Sequence, residues 1–208
     1  MPRDQTHPFT LSPIAHPALP VDGLWLCRCP GTRDGDMVHS GSVVTADAAP
    51  AHANAADRLA NDLDQVAARG ICSLVSLIDA QERGKIGVPD LPQRARDAGL
   101  AWREWPIVDF SVPDAGRSAE FEALLDDLSQ ILDDGQSLAI HCRAGLGRSG
   151  LVAASLLVRR GVTPASAIQT IRLCRPGPLK PHPRKPSSRH AVEASYTRGF
   201  CQPKWQLC

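Results

Sequence analysis

An apolar run, Leu138-Ala139-Ile140, ends in His141-Cys142. The chain then passes through Arg143-Ala144-Gly145-Leu146-Gly147 to Arg148-Ser149-Gly150 and a long apolar helical pattern from Leu151. That order dictates a strand, a tight loop and the start of a helix. A cysteine opens the loop and an arginine closes it, in a C-x5-R arrangement. The string is not a Walker loop, because no Gly-Lys-Ser/Thr follows the glycines.

A loop of this kind is suited to an oxyanion. Gly145, Gly147 and Gly150 let the backbone turn tightly and bring N–H groups close to anion oxygens. The helix that starts near Arg148 adds its positive end and unpaired amides. Arg148 adds a planar fork able to hold two oxygens at once. The expected anion contacts are therefore Arg143, Ala144, Gly145, Leu146, Gly147 and Arg148. The same positive field is expected to hold Cys142 as a thiolate, the nucleophilic form. His141 is expected to fix the loop by hydrogen bonding. Ser149 is placed to donate a hydrogen bond to the sulfur and ease its later departure.

With these residues in place the sequence resembles the cysteine-dependent dual-specificity protein phosphatases, within the protein tyrosine phosphatase superfamily. Within that group it is most similar to the kinase-associated phosphatases and their microbial relatives. The resemblance runs over residues 23–177. It is carried by Gly-Ile-Cys-Ser-Leu-Val-Ser-Leu around Ile71, Val-Pro-Asp-Leu-Pro at 88–92, Trp-Pro-Ile-Val-Asp-Phe-Ser-Val-Pro-Asp at 105–114, and the loop itself. It implies an enzyme that hydrolyses phosphotyrosine, and phosphoserine or phosphothreonine as well, through a phosphocysteine.

Such a reaction releases an alkoxide or phenoxide that needs a proton, and a carboxylic acid on a loop is the usual donor. Asp109 follows an expected strand and sits in a loop holding Pro106 and Pro113. The resemblance assigns the general acid to the aspartate of a Pro-x-x-Asp segment here, which Asp109 matches. Asp114 is the competing candidate, although its place ahead of Ser118 reads better as a turn.

The length suits one ordinary domain with a substantial core. Aromatic residues make up 4% of the chain, so the core should be aliphatic. A net charge of +1 supplies no field to draw the chain to nucleic acid or membrane. No apolar run approaches a membrane span, and residues 1–20, rich in proline and histidine, lack a signal core. The seven cysteines contain no C-x-x-C pair, and Cys27-x-Cys29 lacks partners for a metal site. A reducing, cytoplasmic setting fits these thiols best. No metal and no cofactor are expected, and the partner is a phosphoprotein substrate. The oligomeric state is not encoded in any feature of the sequence.

Strands are expected at 23–29, 71–78, 101–107 and 138–141, and a further one at 42–45. Helices are expected at 57–69, 90–98, 118–132, 148–160 and 164–174. Alternation of this kind predicts an α/β fold in three layers, a mostly parallel central sheet with helices on both faces. The loop then lies at the carboxyl end of a strand, where such sheets bind ligands. Residues 1–22 are expected to be flexible, and 23–177 to form the phosphatase domain. Residues 178–208 are expected to be a basic, proline-rich, disordered tail. Pro178-Leu179-Lys180-Pro181 departs from the family's continuation after Arg175-Pro176-Gly177, which a shifted reading frame would explain.

Three other functions compete with this one. A phosphoinositide phosphatase of this kind tends to carry two loop lysines, where this chain has Arg143 and Leu146. A phospho-binding scaffold would not need Cys142, Arg148 and Asp109 together. A rhodanese-like sulfur transferase would leave Asp109 unexplained.

Overall fold

The computed structural model describes residues 9–33, 49–109 and 115–174. Strands β1 (Ser12–Pro13), β2 (Leu24–Arg28), β3 (Ser73–Ser76), β4 (Ala101–Glu104) and β5 (Leu138–Cys142) form one sheet in the order β1-β2-β5-β3-β4. Every pairing is parallel except that of the short edge strand β1 with β2. The helices are α1 (Ala49–Ala68), α2 (Ala80–Lys85), α3 (Leu91–Asp97), α4 (Ser118–Asp133), α5 (Arg148–Arg159) and α6 (Pro164–Cys174). The mostly parallel α/β fold with helices around the sheet is therefore present.

β5 lies between β2 and β3, and each of its residues is buried, which is why it reads as a continuous apolar run rather than an alternating one. α5 packs on β5 and β2 and against α4 and α6, while α1 packs on α3 and α3 on β4. α4 buries Phe121, Leu125, Leu128, Ile131 and Leu132 at helical spacing. The α5–α6 contact is close: a Cβ added at Gly150 would lie 3.4 Å from Ile171 Cγ2.

Several boundaries differ from expectation. Residues 9–22 are not loose. Phe9, Ile14 and Leu19 join the core, and β1 pairs with β2, because the first apolar strand would otherwise present an open edge. The strand expected at 101–107 leaves the regular ladder after Glu104, because Pro106 has no N–H to donate. Backbone bonds from Trp105 N to Ser76 O and from Ile107 N to Leu77 O nevertheless carry it alongside the end of β3. The strand expected at 42–45 and the tail lie outside the described residues. α2 is an element the sequence does not announce: it is short and has no apolar period, although Asp79 caps it by accepting from the Glu82 N–H at 2.7 Å.

Candidate active site

Cys142 ends β5 and Arg148 begins α5, so the intervening loop bridges the strand's carboxyl end to the helix's amino end. Gly145 sits at φ +68, a conformation that costs a residue with a side chain roughly 1–2 kcal/mol. This turns its N–H back to donate to Cys142 Sγ at 3.1 Å. Ser149 Oγ lies 3.6 Å from the same sulfur. No side chain caps α5, so its positive end and first-turn amides are left for a ligand. Cys142 is buried at 3% exposure, and Arg143 and Ala144 are half-buried, while Leu146 and Gly147 are exposed on the loop's rim.

Arg148 is buried and held by one carboxylate and by backbone carbonyls. Its Nη1 and Nη2 each donate to one oxygen of Glu82 at 2.7 Å, and Nη1 also donates to the Ile107 carbonyl at 3.1 Å. Burial opposes its charge, but the Glu82 hydrogen bonds, with Cys142, Glu82 and Asp109 as nearby negative groups, outweigh this and raise its pKa. Of the five guanidinium N–H bonds, those on Nε and the outer side of Nη2 are left over. Nε has no hydrogen-bond acceptor among the described residues, and the Asp109 carboxylate stands 3.4 Å away as an ion pair. Glu82 thus grips the end of the fork and leaves its side open. Glu82 is not among the residues that the sequence singles out for the site. The Asp-x-x-Glu of Asp79 and Glu82 was the available signal, as a helix-start pattern.

Asp109 is half exposed, just beyond the segment that bonds to β3 and Arg148. Val108 before it is 77% exposed and Leu146 in the loop 47% exposed, so the acid's segment and the thiol's loop each present one large apolar side chain. Asp114 lies outside the described residues.

His141 is fully buried, next to Cys142 on the strand but on the opposite face of the sheet. Its Nδ1 lies 3.4 Å from the Cys142 carbonyl oxygen, which can only accept, so Nδ1 carries the proton of the neutral ring. Burial depresses its pKa from 6.5 to about 3, against the raising effect of that hydrogen bond, with Arg83 and Arg148 adding to the depression. The unfolded chain therefore binds a proton below pH 6.5 that the folded chain refuses until about pH 3. Stability is expected to fall as pH drops through that window, and to fall less in His141→Gln. Denaturant midpoints at neutral and acid pH check this.

Cys27 and Cys29 are both buried, and burial pushes the Cys29 thiol up, with Cys27, Cys142 and Glu82 adding to the rise. Cys29 is thereby kept as a thiol. Among the described residues no group of three or more His, Cys, Asp or Glu side chains is placed to hold a metal ion. None of the described helices is long and apolar enough to cross a membrane.

Residues 49–162, more than half of the chain, match the family described as "Polymorphic toxin system, DSP-PTPase phosphatase". The chain belongs to this family. This DSP-PTPase family member is 32% identical over 113 residues to cyclin-dependent kinase inhibitor 3 of Rattus norvegicus, covering 53% of this chain and 52% of that protein. It is 35% identical over 88 residues to dual specificity protein phosphatase CDC14AB of Danio rerio, covering 42% of this chain but 13% of that protein. It spans about half the length of the first of these relatives and a smaller part of the second. Among solved structures it is similar to kinase-associated phosphatase with its catalytic-site cysteine substituted by serine, at TM-score 0.65 and 26% identity. That likeness covers 83% of this chain and 86% of that one. The active form of Tk-PTP, at TM-score 0.56 and 21% identity over 89% of this chain and 100% of that one, shares the fold.

Proposed function

We propose that this DSP-PTPase family member is a protein phosphatase that works through a phosphocysteine. The observation that carries the reading is the single cradle formed by a recessed thiol, a helix amino end and an arginine whose fork is half occupied. The kinase-associated phosphatase it resembles also has a cysteine at its catalytic site.

In the first step the Cys142 thiolate attacks phosphorus in line. The S–P bond forms, the P–O bond to the substrate breaks, and protonated Asp109 gives its proton to the departing oxygen. In the second step water attacks the phosphocysteine. Asp109, now a carboxylate, takes the water proton while the S–P bond breaks and returns the thiolate, with Ser149 as hydrogen-bond donor to it. Arg148 and the loop amides hold the equatorial oxygens, where negative charge accumulates. The open side of Arg148 receives the phosphate, and the arriving dianion competes with Asp109 for Nε. That competition releases the Asp109 carboxyl toward the leaving oxygen. Glu82 is a positioning residue that holds the fork edge-on, and His141 supports the loop through the Cys142 carbonyl. Arg148 and α5 supply the cationic role, so the reaction is expected to proceed with chelator present.

The substrate class is a phosphoprotein. Phosphotyrosine is the first substrate, because exposed Val108 on the acid's segment and Leu146 on the thiol's loop offer apolar surface to an aromatic ring; phosphoserine and phosphothreonine follow from the family. The same apolar Leu146 disfavours a polyol phosphate such as an inositol headgroup. A reducing, cytoplasmic setting keeps the thiol competent. A phosphopeptide panel, assayed with chelator and fresh reductant, tests the reading: release of phosphate from phosphotyrosine peptides supports it, and inertness toward every peptide sinks it.

Arg148→Lys should not act as a conservative change. Lysine cannot hold Glu82 at one edge and two phosphate oxygens at the other. A fall in kcat of roughly 10²-fold or more is expected, as for loss of a transition-state donor. Steady-state kinetics on an aryl phosphate measure it, and near-normal values would move the anion site elsewhere.

A further inference from the structure

Asp62 is fully buried on α1, and the reaction above does not use it. Its carboxylate is directed at one loop. The Gly31 N–H donates to Oδ2 at 2.8 Å, Arg33 Nη1 to Oδ2 at 2.7 Å and Arg33 Nη2 to Oδ1 at 2.9 Å. The loop is a tight reversal just after β2. The Thr32 N–H and Oγ1 donate to the Cys29 carbonyl at 3.2 and 2.7 Å, with Pro30 and Gly31 in the central positions. Gly31 has φ +84, and proline followed by a left-handed glycine is the sequence a type II turn requires. A Cβ on Gly31 would also meet Val88 Cγ1 at 2.9 Å and Leu59 Cβ at 3.0 Å.

The head of this turn reaches the active site. The Cys29 N–H donates to the Arg143 carbonyl at 3.1 Å, across the junction where β2 and β5 end side by side. In a trans peptide the carbonyl and the following N–H point in opposite directions. Holding the Arg143 carbonyl toward β2 therefore aims the Ala144 N–H away from β2, into the loop. A buried ion pair adds little stability over an apolar pair of the same volume. The bidentate pair between Asp62 and Arg33 is better explained by the geometry it enforces.

We propose that Asp62 is a positioning residue for the phosphate loop. Through Arg33 and Gly31 it sets the 29–32 turn, and through Cys29 it sets the direction of the Ala144 amide. This inference rests on the phosphatase reading.

The test compares wild type, Asp62→Asn and Arg33→Lys at a temperature where circular dichroism shows each to be folded. Asp62→Asn is expected to lose roughly 10–100-fold in kcat, the cost of a small misplacement in the site. The loss should be the same for an aryl phosphate and an alkyl phosphate, because a loop amide serves both. The inhibition constant for orthovanadate should rise about 10-fold as an oxyanion donor is misdirected. Arg33→Lys keeps the charge but not the fork, and should show a smaller loss of the same uniform kind.

A folded Asp62→Asn with wild-type kcat and vanadate inhibition, whatever its melting temperature, overturns the proposal. So does a loss that depends on the leaving group. If Asp62→Asn does not fold, Arg33→Lys decides by the same criteria. A wild-type protein inert toward both phosphates overturns the phosphatase reading instead, and the positioning role with it.

Discussion

Cys142→Ser is expected to abolish turnover while leaving oxyanion binding in place. The serine hydroxyl does not ionise under these conditions, so no S–P or O–P bond forms in the first step. The donors that would hold phosphate are elsewhere: the open side of Arg148, the uncapped amides of α5 and the loop N–H groups. Serine fits where the sulfur sits, in a site 3% exposed, and keeps a hydrogen-bond acceptor for the Gly145 N–H. The variant should therefore bind a phosphotyrosine peptide and release no phosphate from it. Single-turnover assays on an aryl phosphate, together with peptide titration of the variant, make the measurement. Turnover near that of wild type would remove Cys142 from the nucleophile role.

Asp109→Asn is expected to slow poor leaving groups far more than good ones. An acidic phenol departs without a proton, whereas a serine alkoxide does not. The full contribution of a general acid is roughly 10²–10⁴-fold, so that factor should separate an alkyl phosphate from a nitrophenyl phosphate in the variant. The same substitution removes the ion pair that Asp109 makes at 3.4 Å with Arg148 Nε. Substrate affinity should then hold or improve, because phosphate no longer competes with a carboxylate for that edge. A fall in kcat with unchanged or lower KM on the alkyl substrate is the signature. If Asp114→Asn shows the leaving-group dependence and Asp109→Asn does not, the proton comes from Asp114.

These two variants differ in kind from Arg148→Lys and Asp62→Asn. The latter pair degrade the cradle and should affect all phosphates alike. Only Asp109→Asn should sort substrates by the acidity of what leaves. The pattern across one substrate series thus assigns each residue without reference to any single rate.

Much of the fold was legible in the sequence because its signals are local. The 164–174 helix begins at Pro164, whose ring suits a first helical turn, and its bounds match the expected ones. The run at 138–142 reads as a strand because both of its neighbours cover it, leaving no polar face to interrupt it. The site was partly legible for the same reason. Cys142, Gly145, Arg148 and Ser149 lie within one strand-loop-helix unit, so their meeting needs no long-range contact. Asp109 was reachable through its proline-flanked segment, and the chain's bonds along β3 bring it to Arg148.

The alternating α/β order and the loop that joins a thiol to a helix end are written in the chain's local pattern of residues. Both follow from residue periodicity and from the backbone freedom of a few glycines, which act over a few positions. The distant charges that complete that loop are chosen by packing. Glu82 reaches Arg148 from a six-residue helix with no apolar stripe of its own. Asp62 reaches the loop through a turn, from a helix whose buried face reads as purely aliphatic. A buried carboxylate is stable only where donors converge on it. That convergence depends on the packing of α1 and α2 about the ends of β2 and β5, which no local pattern of residues records.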